Sequence, residues 1–390
     1  MNSKQKFIEY FSSGAHEQQR VGIELEHFVL KNDGSVLSYY DDGVSGILSG
    51  LESKFNKVFY EDDSILGMAN DEYSLTLEPG AQLEVSISPM KSAAEISAAF
   101  DDFYSAVEPE LKKRGAKLAP IPVIDEKLLD TIELIPKKRY EYMDNYFKSS
   151  GHFGRYMMRG TTSTQVSVDY SCEMDFIRKF RAAYLLSPLF AAASAGDCNS
   201  SDYLKRIKIW QDVDEKRTMA PADLFGDSFG FASYAEYLLH IPAIFIPHSG
   251  EFIYTGGESI GSLADRYELN RDMIEHYLSM AFPDVRLKNY IEIRIADSMP
   301  KERAAAYGGF AGVIFYNEEI LEYVLKRYSG VTVRDIVSAK LAVCGHGLDA
   351  EIYGKNAYDE FMRLVELAAK YGCYSDFAAF TEKAVPRRSL

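Results

Sequence analysis

The chain has 390 residues, 47% of them hydrophobic and 13% aromatic, enough for a large buried core and against disorder. A net charge of −15 argues against nucleic acid or an anionic membrane as a main partner. The sequence has no long apolar run and no secretory h-region, and its four scattered cysteines (Cys172, Cys198, Cys344, Cys373) form no CxxC pair, so reduced thiols and a cytoplasmic location are expected.

In chain order, a first helix is expected over Lys4 to Phe11, followed by a strand around Glu24. Leu51 to Tyr60 leads into a second strand region, and the polar segment Glu61 to Glu72 reads as a link to a strand around Glu84. Ala93 to Lys113 has the helical period, with Ile96, Ala99, Phe103, Val107 and Leu111 on one stripe. Pro120, Pro122 and Pro136 make the stretch from Ile121 to Lys138 a connector. Glu173 to Ala195 is the longest helical pattern, with a kink expected at Pro188. Gly196 to Asp202 then breaks the chain. Helices are expected at Tyr234 to Leu239, Asn270 to Met280, Ala304 to Arg327, Val333 to Lys340 and Ala357 to Tyr371. Strands and helices without regular βαβ spacing predict an α+β fold, a largely antiparallel sheet backed by helices. Without a repeat or a linker, 1–390 reads as one catalytic domain, helical from about 330 onward.

Four stretches alternate apolar with acidic or amide residues: GIELE (Gly22 to Glu26), EPGAQLEVSISP (Glu78 to Pro89), TTSTQVSVDY (Thr161 to Tyr170) and YIEIR (Tyr290 to Arg294). Residues two apart on a strand share a face. Glu24 with Glu26, Gln82 with Glu84, Ser163 with Gln165, and Glu292 with Arg294 are therefore four same-face pairs. If these strands share a sheet, its open face carries at least four carboxylates. Two like charges about 4 Å apart repel by roughly 4 kcal/mol at an effective dielectric near 20. Such a cluster persists only if cations sit in it or several members are protonated. Oxygen ligands suit hard ions, magnesium or manganese rather than zinc. A solvated strand face would account for Glu24 and Glu26 alone, but glutamate is depleted in strands, and four such strands are too many for that.

Arg294 beside Glu292 would give one strand both a metal ligand and an anion clamp. Arg206, Arg178, Arg181 and Arg217 are further candidates for binding carboxylate or phosphate bidentately, with helix-surface salt bridges the alternative for Arg178 and Arg181. Trp210, in KIWQDVDEKR, reads as core or as a pocket wall. No GxxxxGK[ST] is present, and no GxGxxG follows a strand, so a nucleotide would need a fold without a phosphate-cradling glycine loop. TGGESIGS (Thr255 to Ser262) reads as a turn and GGFAG (Gly308 to Gly312) as a close helix contact. His27 should point away from the acidic face and be packed or on the surface, and CGHG (Cys344 to Gly347) reads as a loop or helix end.

At these same residues the chain resembles the glutamate–cysteine ligases of the plant and proteobacterial type, from about Gly22 to Leu325. The likeness is carried by SLTLEPGAQLEVS (Ser74 to Ser86), MMRGTTSTQVSVDYSCEMDFIRKFRAAYLLSP (Met157 to Pro188), IWQDVDEKR (Ile209 to Arg217), DSFGFASYAEYLLHIP (Asp227 to Pro242) and FPDVRLKNYIEIRIAD (Phe282 to Asp297). It implies a glutamine-synthetase-like site, an antiparallel sheet forming the floor of a funnel with magnesium on its carboxylates. There ATP would phosphorylate the γ-carboxylate of glutamate and cysteine would capture the acyl phosphate, the first step of glutathione biosynthesis. By motif, the resemblance makes Glu24, Glu26, Glu84 and Glu292 metal ligands, with Gln165 at a ligand position and Glu78 a lesser candidate. It places Arg294 at the transferred phosphate and Arg206 and Trp210 in the substrate pocket. The expected partners are small molecules only: glutamate, cysteine or another amine, and ATP, with magnesium or manganese. Where that family continues with glycines and a proline–tryptophan pair, this chain reads SMPKER (Ser298 to Arg303), and the loop after Ala195 also differs. A ligase with another amine acceptor is therefore one alternative, and a non-catalytic binder of amino acid or nucleotide is another. The cysteines of the plant regulatory disulfides have no evident counterparts. Gly196 to Lys205, small and polar just before Arg206, is the candidate lid.

Overall fold

A computed structural model of the chain describes residues 2–16, 18–195 and 204–384. Cys198 and all of the candidate lid except Leu204 and Lys205 lie outside the described residues. The strands in chain order are β1 (Val21–Lys31), β2 (Lys57–Glu61), β3 (Ser64–Ala69), β4 (Tyr73–Leu77), β5 (Leu83–Met90), β6 (Ala116–Ala119) and β7 (Thr164–Val168). After them come β8 (Phe245–His248), β9 (Glu251–Tyr254), β10 (Val285–Leu287), β11 (Ile291–Ile293), β12 (Glu351–Ile352) and β13 (Lys355–Asn356). Nine strands form one sheet in the order β10-β11-β7-β1-β5-β4-β3-β2, with β6 paired to the far end of β1. β8 with β9 and β12 with β13 are separate hairpins. Every pairing is antiparallel, and helices cover the sheet, so the α+β expectation holds.

Alternation decides which way the sheet faces. Ile23 and Leu25 of β1 and Leu83, Val85 and Ile87 of β5 are buried on the back, within one continuous hydrophobic cluster. The helices Ala93–Lys113 and Lys301–Phe315 pack there. The second of these sits close to β1 because Gly308 has no side chain: a Cβ there would stand 3.0 Å from Ile96 Cδ1 and 3.7 Å from Val21 and Ile23. His27 is fully buried on this back face, with Nε2 2.6 Å from the Tyr104 hydroxyl and Nδ1 3.2 Å from the Leu83 carbonyl oxygen. Burial pushes its imidazole down to about 4, so it stays neutral and structural.

The structure departs from the sequence reading in several places. The segment Glu61 to Glu72 is not a plain link: Asp62 takes a left-handed conformation (φ 51°), and the chain turns straight back into β3. The helix expected from Ala304 to Arg327 is two helices, Lys301–Phe315 and Glu318–Arg327. They part at Asn317, whose side chain caps the second by accepting from the Ile320 N–H. The helix Glu173–Ser194 continues through Pro188. Cys344 and His346 end the helix Val333–His346, before Gly347 at φ 54°.

Candidate active site

The front of the sheet is built by register. Glu24 stands opposite Gln165 on one side and Ser86 on the other, Glu26 opposite Glu84, and Glu84 in turn opposite Thr76. Glu26 is tied in place: one carboxylate oxygen accepts from the Ser163 N–H at 2.8 Å, the other from Ser163 Oγ at 2.8 Å and from Gln165 Nε2 at 2.9 Å. Glu84 accepts from Thr76 Oγ1 at 2.6 Å and Ser86 Oγ at 3.2 Å. Glu78 comes from the turn between β4 and β5, where Ala81 has a positive φ of 63°. Gln82 does not present its amide as a ligand; it staples that turn, accepting from the Gly80 N–H at 2.7 Å and donating to the carbonyls of Met158 and Thr161.

These carboxylates are not comfortable as anions. Burial, then Glu84 and Glu292, push Glu24 up to about 8. Burial, then Glu26 and Glu84, push Glu78 up to about 8. Glu26 and Glu84 are also raised, by burial first. Neither Glu24 nor Glu78 receives a side-chain hydrogen bond among the described residues.

Glu292 is the exception. Burial alone would raise it, but Arg286, Lys288 and Arg294 hold it well below the usual carboxylate range. Arg286, on the neighbouring strand, donates from Nε at 2.7 Å and from Nη2 at 3.0 Å, Lys288 Nζ lies at 3.1 Å, and Arg294 Nη1 at 3.1 Å. Both of its oxygens are thus engaged by protein cations, which corrects the picture of a fourth open carboxylate. Arg294 also donates to Gln165 Oε1, so Gln165 uses its oxygen on Arg294 and its nitrogen on Glu26.

Two cavities meet at this place. One, of about 270 Å³, is bordered by Glu24, Glu26, Glu78, Glu84, Gln165 and Arg294, with Lys137 and Arg139 on its rim. The other, of about 320 Å³, is bordered by Arg206 and by apolar side chains from several helices. Trp210, Phe282 and Arg294 border both, the two rings standing edge to face at 5.9 Å. Arg206 is buried and donates to the carbonyls of Ile295 (3.1 Å) and Arg294 (3.0 Å), with its Nε unpartnered among the described residues. Trp210 donates to Thr161 Oγ1 at 3.2 Å.

The other predicted arginines border neither cavity. Arg178 pairs with Glu318 and Glu322 on the protein surface. Arg181 donates to the carbonyls of Leu224 and Gly226. Arg217 is fully buried against Asp214 Oδ2 (2.8 Å) and the Met280 carbonyl (3.0 Å), with the Tyr146 ring 4.6 Å from its guanidinium carbon. Their charges are spent on holding the scaffold. Sequence reasoning missed Arg286 and Lys288, which share the alternating run VRLKNYIEIR with Glu292, and Lys137 and Arg139, at and just past the end of the stretch read as a connector. Burial, followed by Arg139, lowers the Lys137 ammonium from its ordinary value.

A divalent cation fits the residues present. Four carboxylates raised by burial, Glu24, Glu78 and Glu84 also by their acidic neighbours, form an all-oxygen donor set for a hard ion. Among the described residues, no three acidic, imidazole or thiol groups already converge into a finished metal cage. Glu24, Glu26, Glu78 and Glu84 would therefore have to draw together around it.

The profile described as glutamate-cysteine ligase family 2 matches residues 20–335 of the chain. The chloroplastic glutamate–cysteine ligase of Nicotiana tabacum is 32% identical over 361 residues, 88% of this chain and 69% of that one. Glutamate–cysteine ligase A of Oryza sativa subsp. japonica is 32% identical over 362 residues, 88% of this chain and 73% of that one. The Arabidopsis thaliana enzyme is 30% identical over 361 residues, covering 88% and 69%. Among solved structures, apo GmaS overlaps 96% of this chain and 70% of its own at 13% identity and a TM-score of 0.36. PafA, in complex with the ubiquitin-like protein Pup, overlaps 97% and 63% at 11% identity and a TM-score of 0.38. No helix among the described residues is long and apolar enough to cross a membrane.

Proposed function

The chain belongs to glutamate-cysteine ligase family 2, and from that premise we propose that it joins the γ-carboxylate of glutamate to the amine of cysteine with conversion of ATP to ADP and phosphate. The observation that carries this reading is the meeting of two opposite charge sets on one sheet face. Glu24, Glu26, Glu78 and Glu84 are short of positive charge, while Arg294 stands beside them.

In the first step a γ-carboxylate oxygen of glutamate attacks the terminal phosphorus of ATP, and the bond to the ADP oxygen breaks. In the second, the amine nitrogen attacks the acyl carbon of γ-glutamyl phosphate, phosphate leaves with its bonding pair, and the amine loses a proton. Arg294 is placed to meet charge on the transferred phosphoryl group. Gln165 and Glu292 both accept from Nη1 of that guanidinium and so fix its orientation. Lys137 and Arg139 border the same cavity, where they would meet substrate carboxylate or phosphate. Arg206 and Trp210 form a wall of the substrate pocket. We place the nucleotide beyond Glu24, in a cavity of about 220 Å³ also bordered by Ser86, Ser167, Pro89 and Tyr290. Glu24 borders this cavity and the acidic one, so a triphosphate reaching past it arrives at Arg294.

Magnesium or manganese held by Glu24, Glu26, Glu78 and Glu84 would supply charge neutralisation of the phosphates. All three substrates are small molecules, the whole chain acts as one catalytic unit, and its compartment is aqueous and reducing, cytoplasm or plastid. The test is ADP release with glutamate, ATP and magnesium, first without and then with cysteine or 2-aminobutyrate. Strong stimulation together with a γ-glutamyl product by mass spectrometry supports the reading. Absence of ADP release with any amine refutes it.

A further inference from the structure

We infer that the 320 Å³ cavity beside the acidic one is an acceptor side-chain pocket, and that it admits amino acids with apolar side chains larger than that of cysteine. The inference rests on the ligase reading above and names the acceptor class for the same site.

The walls are the first argument. Ile207, Met219, Ala220, Phe282, Ile336 and Val337 are among the side chains lining the cavity. Several of its polar members are committed elsewhere: Lys340 Nζ lies 2.5 Å from Asp284 Oδ2, Thr218 Oγ1 and the Tyr184 hydroxyl donate to backbone carbonyls, and so do both Nη atoms of Arg206. Such a lining rewards buried hydrocarbon. At about 320 Å³ the space is within the range of small-molecule sites and several times what a CH₂–SH group fills.

The rim is the second. Met219, Val337 and Leu341 are large apolar side chains exposed at 48%, 36% and 55%, and all three border this one cavity. A mouth lined with exposed hydrocarbon is where an apolar group enters. The third is position. Arg294, Trp210 and Phe282 border both cavities, so an acceptor with its amine beside Arg294 projects its side chain past the two rings into the apolar space. The fourth is origin. Ile336, Val337, Lys340 and Leu341, on the helix Val333–His346, lie beyond the last residue matched by the family profile, 335. One side of the wall thus comes from outside the matched segment.

The experiment is ADP release by the full-length enzyme with glutamate, ATP and magnesium, across glycine, cysteine, 2-aminobutyrate, methionine, leucine and phenylalanine. We expect kcat/KM for methionine or leucine to equal or exceed that for 2-aminobutyrate, since each methylene taken into an apolar pocket is worth on the order of tenfold or more. In Val337→Glu the leucine-to-glycine ratio of kcat/KM should fall at least about tenfold. Because this is a ratio, a general loss of activity leaves it unchanged. Stimulation by cysteine and 2-aminobutyrate with none by the larger amino acids overturns this inference and leaves the ligase reading standing. No ADP release with any of the six overturns both.

Discussion

Arg286 and Glu292 face each other across β10 and β11, joined by two hydrogen bonds of 2.7 and 3.0 Å, and both are almost fully buried. Glu292 is the centre of a cluster with three cations, and removing its charge leaves them facing one another without it. Breaking one partner of a buried pair costs about 3–5 kcal/mol. Glu292→Gln should therefore lower both turnover and stability. Glu84→Gln should lower turnover and weaken cation binding while leaving stability in EDTA equal or higher, because it removes a carboxylate that burial, then Glu26, already push up. Urea unfolding of both variants in EDTA decides. Equal losses in the two would mean that the cations around Glu292 are not balanced by it.

Arg294 holds two directions at once, toward Gln165 and toward Glu292. A lysine keeps the charge but loses the planar fork. Arg294→Lys should reduce kcat by about 10²–10³-fold, the scale of losing one oriented donor to developing charge, with little change in unfolding. A turnover near that of the parent would remove Arg294 from the chemistry.

Much of this site was readable because a strand writes its two faces as odd and even residues. Glu24, Glu26, Glu84, Gln165 and Arg294 emerged from alternation alone, and the register brought them together. Glu78 was harder to read because it sits in a turn, where no period applies. Lys137 and Arg139 lie just past Pro136, where the prolines mark a connector and no strand or helix period assigns the run KKRY to a face, yet both border the acidic cavity. Sequence also cannot say which carboxylate keeps its charge. Glu292 and Glu84 have the same strand pattern, but only Glu292 has an arginine opposite it, at Arg286. The apolar cavity was invisible because its walls come from segments that look like ordinary core. Ser298, part of the departure SMPKER, donates at 2.6 Å to the Glu26 carbonyl and so fastens β1 from outside the sheet.

Thiol oxidation should leave the enzyme active. Burial pushes the Cys344 thiol up to about 11, so it stays protonated and poorly nucleophilic. Cys172 and Cys373 are exposed and form no disulfide among the described residues. Activity measured after incubation in oxidised glutathione, then in dithiothreitol, should be the same in both. A several-fold loss restored by dithiothreitol would reveal a regulatory pair.

The acidic face predicts how stability depends on pH. Glu24 and Glu78 stand at about 8 when folded, against about 4.5 when unfolded, so between those values the metal-free folded state holds protons the unfolded chain has released. Stability therefore falls as pH rises through that window, by up to about 1.4 kcal/mol per pH unit for each group. The buried imidazoles of His27 and His276, at about 4 when folded, act in the opposite sense only below their unfolded value of about 6.5. The window from pH 6.5 to 8 isolates the carboxylates. In EDTA, Tm should drop across it. Saturating magnesium or manganese should flatten the slope and release protons into weak buffer, because the cation takes the place those protons held. A Tm that is flat from pH 6.5 to 8 in EDTA, or a slope that magnesium leaves untouched, would mean that Glu24 and Glu78 do not share a cation site.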